Sequence, residues 1–173
     1  MLMHSNITLQ EAGNDLINQM AGIDAGSPRD RLRRLRPEYV SGVEACRCSV
    51  LTPQDDQGLS AALRVVLALR MALALGVSAQ VAFYQRLADD LPPSQSHQGL
   101  GANGKGDDAA FQALVYHCDN VTNSPAMSTQ QDLGRLQQAG WTTPQIIALS
   151  ELIAFINFES RIVAGLSALG EGQ

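Results

Sequence analysis

Leu59-Ser60-Ala61-Ala62-Leu63-Arg64-Val65-Val66-Leu67-Ala68-Leu69-Arg70-Met71-Ala72-Leu73-Ala74-Leu75-Gly76-Val77-Ser78 is the stretch on which the fold turns. It is rich in alanine and leucine, the strongest helix formers, and has neither the alternation of a half-buried strand nor an internal proline. Gly76 supplies a left-handed stop, and Ser78 is expected to cap a second helix running to about Leu91. Two close-set helices, 59–75 and 78–91, therefore form a core pair. The uncharged run from Met71 to Gln85 is bounded by Arg70 and Arg86. It falls short of the roughly 20 residues a spanning helix needs, so a membrane protein is not expected.

On the N-terminal side, residues 1–58 read as shorter helices. Thr8-Leu9-Gln10-Glu11 fits a capping box, followed by Leu16, Ile17, Met20 and Ile23 at helical spacing. Ser27-Pro28 opens a helix to about Leu35, and Pro37 restarts one to about Val50. Thr52 to Gly58 is a loop. On the C-terminal side, residues 92–106 (PPSQSHQGLGANGKG) hold four Gly, two Pro and two Ser and read as a flexible loop. Asp107-Asp108 then opens a helix to about Val121, Ser128-Thr129-Gln130-Gln131 caps another, and Gly140 ends it. Thr142 and Pro144 start a long helix reaching about Leu169. The expectation is an all-α single domain over 1–173, a bundle of seven to eight helices with 59–75 and 143–169 at its centre.

Composition narrows the function classes. At 173 residues, with 45% hydrophobic and 17% charged residues, the chain can bury a core without disulfides or metals. A net charge of −5 disfavours nucleic acid as a partner. Five of the eleven arginines (Arg29, Arg31, Arg33, Arg34 and Arg36) crowd into eight residues. Without interleaved aromatics they read as a solvated face paired with Asp30, Glu38 or acids of a partner subunit. Three irregularly spaced cysteines and no basic-then-apolar leader point to the cytoplasm.

Motif readings are mostly negative. Gly99 to Lys105 spells GxxxxGK, but Gly106 stands where a phosphate-binding loop needs Ser or Thr, and no strand precedes it. No nucleotide or other cofactor is expected. Cys46 and Cys48 are two apart, so on a helix they point about 200° away from each other and cannot readily bridge or share a metal. Cys118 beside His117 has no zinc-type spacing. His4 and His97 fall in segments expected to be flexible.

The start Leu59-Ser60…Arg64…Ala68, with the closing segment Asp132-Leu133…Leu136…Ala139-Gly140-Trp141…Ile146…Ile153-Ala154-Phe155-Ile156-Asn157-Phe158…Arg161…Leu166, resembles the carboxymuconolactone decarboxylase/alkylhydroperoxidase D-like (AhpD-like) family. The resemblance covers about residues 59–87 and 110–169, and more weakly 14–58. There Leu16-Ile17…Ala21-Gly22-Ile23…Gly26-Ser27-Pro28…Leu32…Arg36-Pro37 is similar to a branch described only as a CMD domain protein. The family carries Cys-x-x-Cys and, four residues on, His. Carried over from Leu59 and Arg64, those positions fall on Val77, Gln80 and Tyr84, none a thiol or imidazole. A thiol peroxidase needs a thiolate, a resolving thiol and a base.

The resemblance therefore implies a non-catalytic or catalytically altered subunit of a homo-oligomer, linked to peroxide defence or small-molecule catabolism, with a sister protein holding an intact cysteine pair as a further partner. One alternative is a thiol-independent decarboxylase or lyase, with Arg64, Arg70, Glu159, Arg161 and Tyr84 as candidates for its site. A second is a thiol peroxidase using Cys46, Cys48 or Cys118. Arg64, Glu159 and Arg161 also fit plain ion-pair roles on apolar helices.

Overall fold

The computed structural model describes residues 15–92, 97, 100, 104 and 108–170. Every regular element among them is helical, as expected of an all-α chain. In chain order these are α1 (Leu16–Met20), α2 (Pro28–Arg33), α3 (Pro37–Leu51), α4 (Ala61–Leu75), α5 (Ser78–Asp89), α6 (Ala109–Asn123), a 3-10 turn (Pro125–Met127), α7 (Gln130–Gln138) and α8 (Thr143–Ala168). The first capping box, Thr8 to Glu11, lies outside the described residues.

Most helix ends follow the local chemistry. Ser27 and Ser60 accept the N–H groups of Asp30 and Leu63, and Asp108 accepts that of Phe111. Gly76 sits in the left-handed region at φ 73°, as does Gly140 at φ 97°, conformations that a side chain would strain. Thr142 and Gln145 close the reciprocal box at the start of α8.

Two caps differ from expectation. Val77, not Ser78, is the N-cap of α5, because the turn after Gly76 uses one extended residue and Ser78 is already helical. In α7 the cap is Thr129, not Ser128. Asp132 accepts both the Thr129 N–H (2.8 Å) and hydroxyl (2.9 Å), putting an anion at the positive helix end where Gln131 would offer a neutral amide.

The centre is α4 against α8. Val65, Leu67, Ala68, Met71 and Ala72 from α4 meet the core alongside Leu149, Leu152, Ile153, Ile156 and Val163 from α8. Helix α4 also packs on α5 and α6, and α8 on α3, α1 and α7. Three of the five clustered arginines form ion pairs within the chain, and Arg29 donates to the Gly22 carbonyl (3.3 Å). Arg33 pairs with Asp15 (2.8 Å), Arg34 with Asp30 (2.8 Å) and Arg36 with Glu38 (3.4 Å). Of residues 92–106, Leu100 is buried, and Arg70 donates to the carbonyls of Leu100 (3.3 Å) and Gly104 (2.8 Å) while chelating Asp119. The segment expected to be a flexible loop is thus bonded to α4 at Leu100 and Gly104.

Candidate functional site

Helix α8 repeats apolar residues at Leu152, Phe155, Ile156 and Val163, and this buried face carries one carboxylate, Glu159, fully withdrawn from solvent. An unpaired anion there would be prohibitively desolvated. Its counter-charge comes from α3. Val43, Arg47 and Leu51 recur every fourth residue and all lie on the buried side of that helix, so Arg47 enters the core. Arg47 donates through Nε (2.9 Å) and Nη2 (2.6 Å) to Glu159 Oε1. Helix α5 contributes Gln80 and Tyr84, one turn apart on one face. Gln80 Nε2 and the Tyr84 hydroxyl each donate to Glu159 Oε2 at 2.8 Å.

The carboxylate thus accepts four hydrogen bonds, the full capacity of its two oxygens. The surrounding groups are equally committed. Gln80 also donates to the Ile156 carbonyl (3.2 Å), and its own oxygen accepts from the Ser160 hydroxyl. Arg47 directs Nη1 to Glu44, and its guanidinium lies 5.8 Å from the Phe83 ring centroid and 5.9 Å from that of Phe155. Glu44, its side chain 30% exposed, is the outer end of the network, and its other oxygen accepts the Leu16 N–H at 3.2 Å.

Electrostatics fix the protonation states. Burial pushes the Tyr84 hydroxyl well above the ordinary tyrosine range, and the adjacent Glu159 anion pushes it further; Arg47 opposes both without prevailing. Tyr84 therefore stays a neutral donor and cannot serve as a base at neutral pH. Burial works against the Arg47 charge, but Glu159 and Glu44 override it, so its affinity for the proton rises.

Of the positions aligned with the redox motif, Gln80 and Tyr84 are completely buried, and Val77 is half-buried against the core. Of the decarboxylase candidates, Tyr84 and Glu159 are brought together, while the three arginines lie apart from them. The guanidinium of Arg64 is buried on the carbonyls of Leu59 (2.6 Å), Val50 (2.9 Å) and Asp56 (3.0 Å), Arg70 serves Asp119, and Arg161 faces solvent. Thus Arg64 has a structural role through backbone carbonyls rather than through a direct ion pair, whereas Glu159 does form one.

The cysteines are also dispersed in environment. All three are free thiols, Cys46 exposed, Cys48 half-buried and Cys118 buried. Burial, with Asp119 adding to it, pushes the Cys118 thiol up to about 12, which leaves almost no thiolate at neutral pH. His117 is buried and lowered by that burial, against the pull of Asp132, and so is neutral. Among the described residues no group of three or more His, Cys, Asp or Glu could hold a metal ion, and no helix is long and apolar enough to cross a membrane.

Reading the sequence alone singled out Gln80, Tyr84 and Glu159 separately but missed Arg47, Glu44 and Ser160. The available signal for Arg47 was its place midway between Val43 and Leu51 on an i, i+4 stripe. Compared with protein-family models, curated proteins and solved structures, the chain matches none of them.

Proposed function

We propose that this chain is a member of the carboxymuconolactone decarboxylase/alkylhydroperoxidase D-like family in which the redox motif has become a structural hydrogen-bond network, and that it acts as a catalytically silent subunit of an oligomer. One observation carries the reading. Gln80 and Tyr84, at the motif's second-cysteine and histidine positions, spend their polar atoms on Glu159, Ile156 and Ser160. A peroxidase would need a nucleophilic thiolate and an available base at these positions. Here an amide and a neutral phenol, both without solvent contact, stand in their place. The service such a subunit gives is assembly, with copies of itself or with a relative that keeps the cysteine pair.

Peroxide consumption with a dithiol reductant tests the reading. The wild type and the Cys46→Ser/Cys48→Ser/Cys118→Ser variant are expected to show equal, negligible turnover, because scattered thiols are oxidised stoichiometrically and no partner resolves a sulfenic acid. Multiple turnovers in the wild type that vanish in the triple variant would overturn it and favour the thiol peroxidase.

A further inference from the structure

Helix α8 turns one face inward and leaves an outer face on which one stripe runs along the helix, flanked by the exposed Ser150 and Ala164. The stripe consists of Ile147, Glu151, Ala154, Phe158, Arg161, Gly165 and Ala168, all exposed, at alternating spacings of four and three. These positions lie on one line along the helix surface, and only Glu151 and Arg161 among the seven are charged. Ile147 is 54% exposed and Phe158 45%, large apolar surfaces with no covering element among the described residues. Glu151 and Arg161 have no ion-pair partner among the described residues. A Cβ on Gly165 would meet nothing within 4 Å, so nothing among the described residues requires a glycine there, although glycine is a poor residue for a helix interior.

We infer that this stripe is the contact face between two copies of the chain, their α8 helices antiparallel about a two-fold axis. The stripe is complementary to its own reversal. With the axis at the level of Ile156, the midpoint of the helix, Ala154 faces the second copy's Phe158. Glu151 then faces the second copy's Arg161, and Ile147 faces the second copy's Gly165. Each apolar layer sets a large side chain against a small one, as knobs-into-holes packing requires, and each charge meets its opposite. The two-fold axis repeats every contact, giving two Glu151–Arg161 pairs around a Phe158–Ala154 centre. Gly165 has its reason in this arrangement, as the hollow for Ile147. The inference rests on the subunit reading and names its partner and its face; the peroxide assay tests that reading separately, since a dimer can form whether or not the chain turns peroxide over.

Sedimentation equilibrium of the full chain, from low to tens of micromolar, is the test. The wild type is expected at twice the 18.5 kDa chain mass. Glu151→Arg or Arg161→Glu, which faces like charges across the axis twice, should each weaken the dimer by roughly tenfold or more. The Glu151→Arg/Arg161→Glu double variant reverses both charges and should return to within about threefold of the wild type. Glu151 also favours the charged form of the buried Arg64, so the Arg161→Glu arm gives an independent result, and circular dichroism confirms the fold of each variant. A wild-type monomer, a dimer indifferent to both single changes, or a double variant no better than the singles would each overturn the inference.

Discussion

Replacing Arg47 with alanine is expected to lower the unfolding free energy by about 3–5 kcal/mol, a large fraction of the roughly 5–15 kcal/mol that domains possess. The cost comes from what remains. Glu159 is fully buried, and without Arg47 it keeps only the Gln80 and Tyr84 donors and no cation. Glu44, partly exposed, can turn to water, so the loss concentrates on one side of the arginine. Urea unfolding followed by circular dichroism measures it. The companion Arg47→Met/Glu159→Met should recover part of the loss, because the desolvation cost of both charges is removed together while the buried Tyr84 hydroxyl loses its acceptor. A single variant as stable as the wild type would show that the pair is not load-carrying in the fold.

Leu152→Ala is expected to cost about 2–5 kcal/mol, with a fall in Tm on the order of 10 °C. Leu152 has no exposed surface and shares one core with Leu67 and Met71 of α4, the helix that α8 packs against. Truncation there removes apolar transfer energy and leaves a void between two rigid helices with little room to collapse. Leu35→Ala is the control. Leu35 is 75% exposed, so its truncation should change stability by no more than about 0.5 kcal/mol. Equal losses at both positions would contradict the placement of α8 at the centre.

The elements themselves were legible in the sequence because their signals are local. Ser60, Gly76, Asp108, Thr142 and Pro144 mark helix ends through chemistry confined to one turn. Where two neighbouring residues could serve, as with Val77 and Ser78 or Ser128 and Thr129, the choice fell to turn geometry and to the charge of Asp132, which periodicity does not weigh. The site was legible only in pieces. Its bonds join residues 75 and 112 positions apart, and no local pattern says that α3 and α5 both meet α8. Arg47 was further masked by Cys46 and Cys48, which drew the chemical reading onto themselves. Arg161, entertained as a catalytic candidate, lies on the outward stripe of α8, opposite the face that holds Glu159.

Tyr84 acts as a locked structural donor, not as a working acid or base, and its own ionisation is the direct test. Because the folded protein holds the Tyr84 proton more tightly than the unfolded chain does, the unfolded state loses it first as pH rises. The stability this supplies is complete below about pH 10 and is lost above it. Cys118 acts in the same direction, from its ordinary 9 towards about 12, so the Tyr84 contribution must be taken by difference against Tyr84→Phe. The measurement is an alkaline titration of phenolate absorbance in both proteins, with helical circular dichroism recorded on the same samples. The Tyr84 phenolate is expected to appear only as the helical signal collapses. A Tyr84 ionisation completed near pH 10 in a protein whose helices are intact would contradict it.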